Sequence, residues 1–548
     1  MTFRDGFHEH YADELIGLYD CPDRLTFLAY NQLLQSGGGF RQFWRALHGG
    51  DDSTLTTERA ADMSGDMTRR LHAFCAKSGI PLLDAAARDR KGDDAEAFIP
   101  KDPAFTGLFL VQKSLAPAPT WHVERHKEKG YIIKLYRPKK WQSVRHVFFH
   151  IMDPDWGHIT IRMCCHPPFG AMVIFNGHER VRRLAEERGV EFRTDGNCFI
   201  EGSDLKALDA LGGKLASSPM DIQKVADRWI YSCCLCFGLS TELQAATGFR
   251  YDYSVLQMEY SRNYLFTRGS ALDQIYQSLL DRTRRRFALE RLKTILGVKR
   301  RPHERHEFAI KRSRDANGQY SLTTLTINLG WLKLKIYDKS GRLLRAEVTV
   351  NNAKRLRCLR SLPHVPEVMG RLRAMLDRFM NHVQSVNIAF VGPDELVRWA
   401  QPGRAGGHRT AGINLNNARV RTVLSLLPSL SAIPGGFSSG DLQERVRANG
   451  GPRKYTISQA RYDLRKLRGK GLVRRPPRRR KYEVPAEETA KVCAYFTIND
   501  EVIRPILASC GRRRGGPKPQ HPVDKIRMRM RDNLVELFGE LGIEATAA

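Results

Sequence analysis

A chain of 548 residues, 42% hydrophobic and 27% charged, has material for about three domains with buried cores, and its composition excludes an intrinsically disordered protein. Lysine and arginine number 89 against 59 acids, a net charge of +30 that speaks to partners rather than to fold and makes nucleic acid the expected one. No run approaches the ~18 apolar residues of a spanning helix and Met1 to Asp20 has no apolar signal core, so no membrane partner is expected and the cytoplasm is the expected location.

Residues 1–118 read as a mainly helical region. Short periodic segments cover Ala12 to Leu18, Asp23 to Leu34 and Phe40 to Leu47, and a longer one runs from Ala60 to Gly79. From Gly130 the period changes to two. YIIKLY, HVFFHIM, HITIRM and AMVIFN are four strands separated by turn chemistry, and a helix follows from His178 to Arg188. Helix-forming sequence then dominates from Ser203 to about Val298, which closes an α+β domain over 119–300. A second strand cluster, within 301–400, runs from Glu307 to Asn352. Asp315-Ala316-Asn317-Gly318 and Lys339-Ser340-Gly341 are its tight turns, and a helix from Pro366 to about Val386 follows it. Leu332, Leu334 and Ile336 point to one side of its third strand, and Trp331, Lys333, Lys335 and Tyr337 to the other. That second side is either a stacking and phosphate-contacting surface or a solvated face whose lysines protect an edge. The Gly-rich basic stretch at 401–414 reads as a linker, 415–495 as a helix-turn-helix with a wing, and 496–548 as C-terminal helices with a basic tail.

The stretch from Phe437 to Val484 is the most legible. Ile457, Ala460, Leu464 and Leu467 form one apolar stripe of a helix, which Gly469 and Gly471 end. Two short strands follow around a Pro-Pro-Arg-Arg-Arg tip. From Arg445 to Lys481 there are fifteen lysines and arginines against one acid, Asp463, where a solvated helix face would mix signs. The pattern resembles the bacterial winged helices of MarR-like type, and a protein-docking use of the same fold is the alternative. As a DNA reader, the helix would present Ser458, Gln459, Arg461, Tyr462 and Arg465 to base edges. Lys466, Arg468, Arg478, Arg479 and Arg480 would hold phosphates, with Trp331, Lys333 and Lys335 of the sheet as a second contact.

Catalytic candidates are fewer. KIYDKSGRLLRAEVTVNN places Tyr337, Asp338, Arg345 and Glu347 on adjacent strands, and resembles the YDK…LRxE hairpin of plasmid and phage replication initiators. The resemblance implies DNA binding and strand nicking by a tyrosine with a divalent metal; the plain alternative is an arginine–glutamate arrangement that stabilises the sheet. Tyr260, beside Glu259 on an expected helix and near Arg262 and Arg268, is a second nucleophile candidate or else a packing residue. His146 and His150 share one strand face with His158 on the next strand, so two imidazoles could converge on a metal, but they lack the one-residue spacing of nicking enzymes and read better as partly buried, hydrogen-bonded histidines. Eleven cysteines form no disulfide framework. Cys233 and Cys236 have a zinc-like gap but no second such pair exists, and both their cluster and that of Cys164, Cys165 and His166 lie within apolar runs. Taken whole, the chain resembles a widespread bacterial family known by its C-terminal MarR-like winged helix, which implies architecture and bacterial origin but no particular activity.

The sequence therefore predicts an α+β protein: a helical N-terminal region, two antiparallel-sheet modules with intervening helices, and a C-terminal winged helix-turn-helix. The expected function is sequence-directed binding of double-stranded DNA, as in a regulator. The alternatives are a mobile-element enzyme (a replication initiator or transposase-like nickase) and an RNA-binding component of a ribonucleoprotein. No cofactor is expected unless the protein is a nuclease, which would call for a divalent metal. Oligomeric state is left open.

Overall fold

The computed structural model describes residues 3–86, 91–236, 238–286, 307–314, 320–385, 393–405, 408–431, 436–449, 452, 454–477, 480–499, 503–504 and 522–540. The chain divides into two compact units. One comprises Ile16–Gly269 and Lys311–Arg373, and the other Met1–Leu15, Ser270–Ile310 and Ala374–Ala548.

The first unit is built on one eleven-stranded sheet. In chain order its strands are β1 (Leu15–Asn31), β2 (Leu82–Asp84), β3 (Gly107–Ala118), then β6 (Gln142–Asp153), β7 (Gly157–Cys164) and β8 (Ala171–Asn176), with β4 (His122–Arg125) and β5 (Ile132–Tyr136) forming a separate hairpin. A second small hairpin, β9 (Phe192–Asp195) and β10 (Cys198–Gly202), precedes β11 (Tyr251–Phe266), β12 (Glu307–Arg314), β13 (Tyr320–Asn328), β14 (Leu332–Lys339) and β15 (Leu343–Val350). The spatial order is β12-β13-β14-β15-β11-β1-β8-β7-β6-β3-β2. The α+β class holds, and the two expected sheet modules are the two halves of this one sheet, joined through β11 and β1.

Both joining strands fall where helix was expected. β1 is buried without interruption from Tyr19 to Asp23, and β11 from Tyr260 to Phe266. A strand covered on both faces loses the period-two alternation that marks a strand in sequence, and reads like any other apolar run. The helices Gly177–Glu187 and Leu205–Ser217 lie close on β1, since a side chain at Gly177 would meet the Pro22 carbonyl and one at Gly212 the Asp20 carbonyl. The expected helices at Phe40–Leu47 and Ala60–Gly79 are present as Gly37–Leu47 and Thr57–Ser78. Gly79 ends the second in the left-handed conformation at φ 65°.

The alternation read from β14 is as expected, with Leu332, Leu334 and Ile336 buried and their neighbours half-buried. β15 is buried on both faces, Arg345 and Glu347 included. The β14–β15 turn is closed by Asp338, whose carboxylate accepts from the Gly341 backbone N–H at 3.1 Å while Ser340 and Gly341 both take positive φ. The expected Asp315–Gly318 turn lies outside the described residues.

In the second unit, three helices share one core: α1 (Ala418–Ser431), α2 (Ser439–Ala448) and α3 (Ile457–Gly469). Leu424, Leu427, Leu442, Val446, Ala460, Leu464 and Leu467 are buried together, with Leu472, Val473 and Val484 closing the cluster. Two capping boxes start α2 and α3: Ser438 with Asp441, and Thr456 with Gln459. After α3 the chain returns through single bridges, Arg474 to Glu483 and Phe437 to Tyr482, so the segment before α2 and both arms of the hairpin after α3 are tied together. Within the stretch read as a linker, Gly403–Ala405 pairs with His408–Thr410, and Ile413 is buried with its N–H on the Trp399 carbonyl. The described residues contain no helix long and apolar enough to cross a membrane.

Candidate nucleic-acid interface and the polar face of the sheet

The apolar stripe of α3 turns Ala460, Leu464 and Leu467 into the core, which leaves Ser458, Arg461, Tyr462, Arg465 and Arg468 exposed. Asp463, the single acid of the stretch, goes inward. It accepts from the Tyr455 hydroxyl at 2.8 Å and from Arg419 of α1 at 3.2 Å, and burial raises its carboxyl above the ordinary range. The outward face of α3 therefore carries arginine and no carboxylate. Arg480 is exposed, and Arg478 and Arg479 lie outside the described residues.

Two residues expected on that face are not there. Lys466 is 8% exposed, beside Asp463 and with its ammonium 5.7 Å from the Tyr462 ring centre; burial lowers its pKa. A phosphate contact from this side chain is corrected to a packing role, because the side chain is buried and the one charge that favours its ammonium there is the neighbouring Asp463, with Arg419 opposing. Gln459 is half-buried, and its amide oxygen accepts from the Thr456 N–H at 2.8 Å. It serves the helix N-terminus rather than a base edge, and the T-x-x-Q spacing carried that signal.

The second cluster sits on one face of β11, β14 and β15. Register places Tyr337 opposite Arg345, Lys335 opposite Glu347, and Glu347 opposite Ser261. Arg345 is fully buried and ion-paired to Asp23 of β1 at 2.6 Å, and it also donates to the Asn197 carbonyl at 3.0 Å and to Asn263 at 3.2 Å. Glu347 takes Lys335 at 2.6 Å and the Tyr337 hydroxyl at 3.2 Å. Burial would raise Glu347, but Lys335 and Arg345 outweigh it and hold its carboxyl below the ordinary range. Asp23 is raised by burial to about 6 against the pull of Arg345. Burial likewise raises the Tyr337 phenol, with Arg345 opposing. Lys335 is thus paired, and Trp331 and Lys333 are half-buried, so this side is a network of paired charges rather than an open basic-aromatic surface. The carboxylates nearest Tyr337 are each held by a cation, and Asp338 closes a turn. Among the described residues no three His, Cys, Asp or Glu side chains converge to hold a metal, so this donor set does not fit the divalent ion that the nicking resemblance implies.

Tyr260 lies on the opposite face of β11, on a strand and not a helix, 2% exposed. Its hydroxyl donates to Asp20 at 3.1 Å and accepts from Arg373 at 3.1 Å, while Arg262 grips Asp20 at 2.8 and 3.0 Å. Burial, foremost, raises the phenol. A nucleophile must reach its phosphate, and this one is sealed, so its candidacy is withdrawn. β1 thus supplies a carboxylate to each face, Asp20 for Arg262 and Asp23 for Arg345; sequence reasoning missed both because it took β1 for helix.

His146 and His150 are core residues, and His158 is half-buried beside them. His150 shares hydrogen bonds with His158 at 3.0 Å and with Gln112 at 3.0 Å, and His146 bonds its own strand's Val144 carbonyl. Burial lowers His150 to about 3 and His146 and His158 to about 4. Every described cysteine is a free thiol.

No protein-family model and no curated protein matches the chain. Among solved structures, a rolling circle replication initiator protein from Geobacillus stearothermophilus aligns over 74% of this chain and 91% of its own, at 10% identity and TM-score 0.17. The di-domain ARO/CYC BexL of the BE-7585A biosynthetic pathway aligns over 48% and 86%, at 11% identity and TM-score 0.10. At these TM-scores neither likeness carries an argument about this chain.

Proposed function

We propose that this chain binds nucleic acid, and duplex DNA first, through a winged helix made of α1 to α3 and the hairpin bridged at Arg474 and Glu483. One observation carries the reading: the acid of α3 is buried on Tyr455 and Arg419, so its solvent face offers Arg461, Arg465 and Arg468 with Tyr462 between them. Arginine is suited to both roles a groove-entering helix needs, bidentate contact with guanine and contact with phosphate. The test is competition among duplex DNA, single strands and structured RNA for the full-length protein across a salt series. The reading expects duplex to win, with a log–log salt slope of about −0.9 per phosphate contact. A structured RNA that outcompetes every duplex would replace it with the ribonucleoprotein reading.

A second reading, a strand-cleaving enzyme of mobile DNA, is favoured by the Tyr337 hydroxyl at 3.2 Å from Glu347. In that reading the phenol oxygen attacks a phosphodiester phosphorus, its proton passes to Glu347, and the departing nucleoside oxygen takes a proton from water. Nicking of supercoiled DNA that disappears in Tyr337→Phe would support it. Nicking unaffected by that change, or none from the wild type, would remove it.

A further inference from the structure

Among the described residues of the first unit, solvent-facing aromatic rings gather away from the β14–β15 face. They lie on the β4–β5 hairpin and the start of β6. Trp141 is 59% exposed and Tyr136 39%. The His122 ring lies 5.7 Å from that of Tyr136, and its Nε2 is 3.2 Å from the amide of Gln142, the residue that follows Trp141 in the chain. β5 turns Leu135 towards the helix Gly37–Leu47, where a side chain at Gly37 would meet it, so Lys134 and Tyr136 face the other way. The Lys134 ammonium stands 5.1 Å over the Tyr136 ring, and Lys139 and Lys140 are exposed beside Trp141. Between Trp121 and Arg145 the chain has eight lysines and arginines against two acids, Glu124 and Glu128.

Exposed rings of this size are costly to leave in water, and a soluble chain uses them where something stacks. The surrounding charge selects the occupant. Planar rings bracketed by lysines match a chain of planar bases on a polyanionic backbone, and base–aromatic stacking tolerates any sequence. We propose that Tyr136, His122 and Trp141 form a stacking surface for single-stranded nucleic acid, with Lys134, Lys139 and Lys140 holding its phosphates. This surface lies in a different unit from α3, and the inference stands or falls separately from the duplex reading.

The test uses the full-length protein and a short labelled oligothymidylate, followed by fluorescence anisotropy, with a duplex of equal length measured in parallel. Trp141→Ala and Tyr136→Ala, both surface changes, are each expected to weaken oligothymidylate binding about tenfold or more while leaving the duplex affinity unchanged. Trp141→Phe should retain most of the binding because it keeps a ring. Tyr131→Ala, a residue that precedes the strand and packs on the His126 ring, should change nothing. K139A/K140A should flatten the salt dependence. Oligothymidylate binding that survives both ring deletions would overturn the proposal. So would equal losses on the duplex, or loss of binding to phosphatidylserine vesicles with the oligothymidylate unaffected.

Discussion

On α3 the acid is inside and the arginines are outside; across β11, β14 and β15 the arginine is inside, with carboxylates gathered on it. Asp463 is taken by Tyr455 and Arg419, which leaves Arg461, Arg465 and Arg468 exposed. Arg345 is taken by Asp23, and Glu347 by Lys335 and Tyr337, which leaves little field to project. Coulomb attraction to a ligand scales with charge that is both exposed and unmatched, and buried pairs cancel before any ligand arrives. The first region leaves its basic charge exposed and the second pairs it inside the sheet, although both are rich in basic residues.

The largest separation between them should appear in acid. His146, His158 and His178 are held down to about 4 and His150 to about 3, in each case by burial first. A group whose folded pKa lies below its unfolded value of ~6.5 costs no stability above that pH. As pH falls through the window towards 4, the unfolded chain takes up protons that the folded chain refuses, at about 1.4 kcal/mol per pH unit for each histidine. Asp23, raised to about 6, and Asp227 and Glu259, also raised by burial, work in the opposite direction but are three groups against four. All four histidines lie in the sheet unit, so it should unfold between about pH 6.5 and 4.5. Trp399 is the one tryptophan outside that unit, so intrinsic fluorescence reports the transition. A flat fluorescence-detected stability across that window would mean that these histidines are not buried neutral.

Next in size is Arg345→Ala, which strands Asp23 in the core and should cost about 3–5 kcal/mol in chemical denaturation. D23N/R345M, which removes both charges, should recover most of the loss. If the single variant melts like the wild type, the sheet face is open and its charges are available to a ligand after all.

How much of this contrast was legible follows from where each partner comes from. Within α3 the stripe Ile457, Ala460, Leu464, Leu467 and the Thr456–Gln459 box are local patterns, and the helix, its cap and its exposed arginines could be read from them. The inward turn of Asp463 depends on Arg419 from α1, 44 residues away, and no window on α3 contains that. The sheet is the harder case. The β14 alternation was visible because one face is only half covered, whereas β1 and β11 are covered on both faces and β1 carries Pro22 besides, a residue that argues against a central strand. Once those two strands were taken for helix, Asp20 and Asp23 could not be placed opposite Arg262 and Arg345, and Tyr260 looked accessible. Missing the central strands removed the partners, and missing the partners made structural charges look functional.

On the recognition side the effects are smaller and fall on binding. Arg461→Ala and Arg465→Ala should each weaken duplex binding by about 1–3 kcal/mol if they reach base edges, with relaxed sequence preference. Arg468→Ala should weaken all duplexes alike and reduce the salt slope by about one. Lys466→Ala should do neither, since its charge already has Asp463 beside it; a salt slope reduced as much as by Arg468→Ala would put Lys466 back among the phosphate contacts.

The smallest effect is the most discriminating. Gln459 sits at the third position of α3, where its amide oxygen accepts from the Thr456 N–H at 2.8 Å. Removing it with Gln459→Ala should cost up to about 1 kcal/mol of stability through the helix start, as losses of caps do. Any loss of DNA affinity should be uniform across sequences, because a frayed first turn loosens the whole face at once. A base contact would behave differently, since its loss lets one position of the site drift while the rest stays specified. A binding-site selection on the wild type and Gln459→Ala separates the two: matching motifs with slightly weaker affinity keep Gln459 as a cap, and a single degenerate position would move it into the groove.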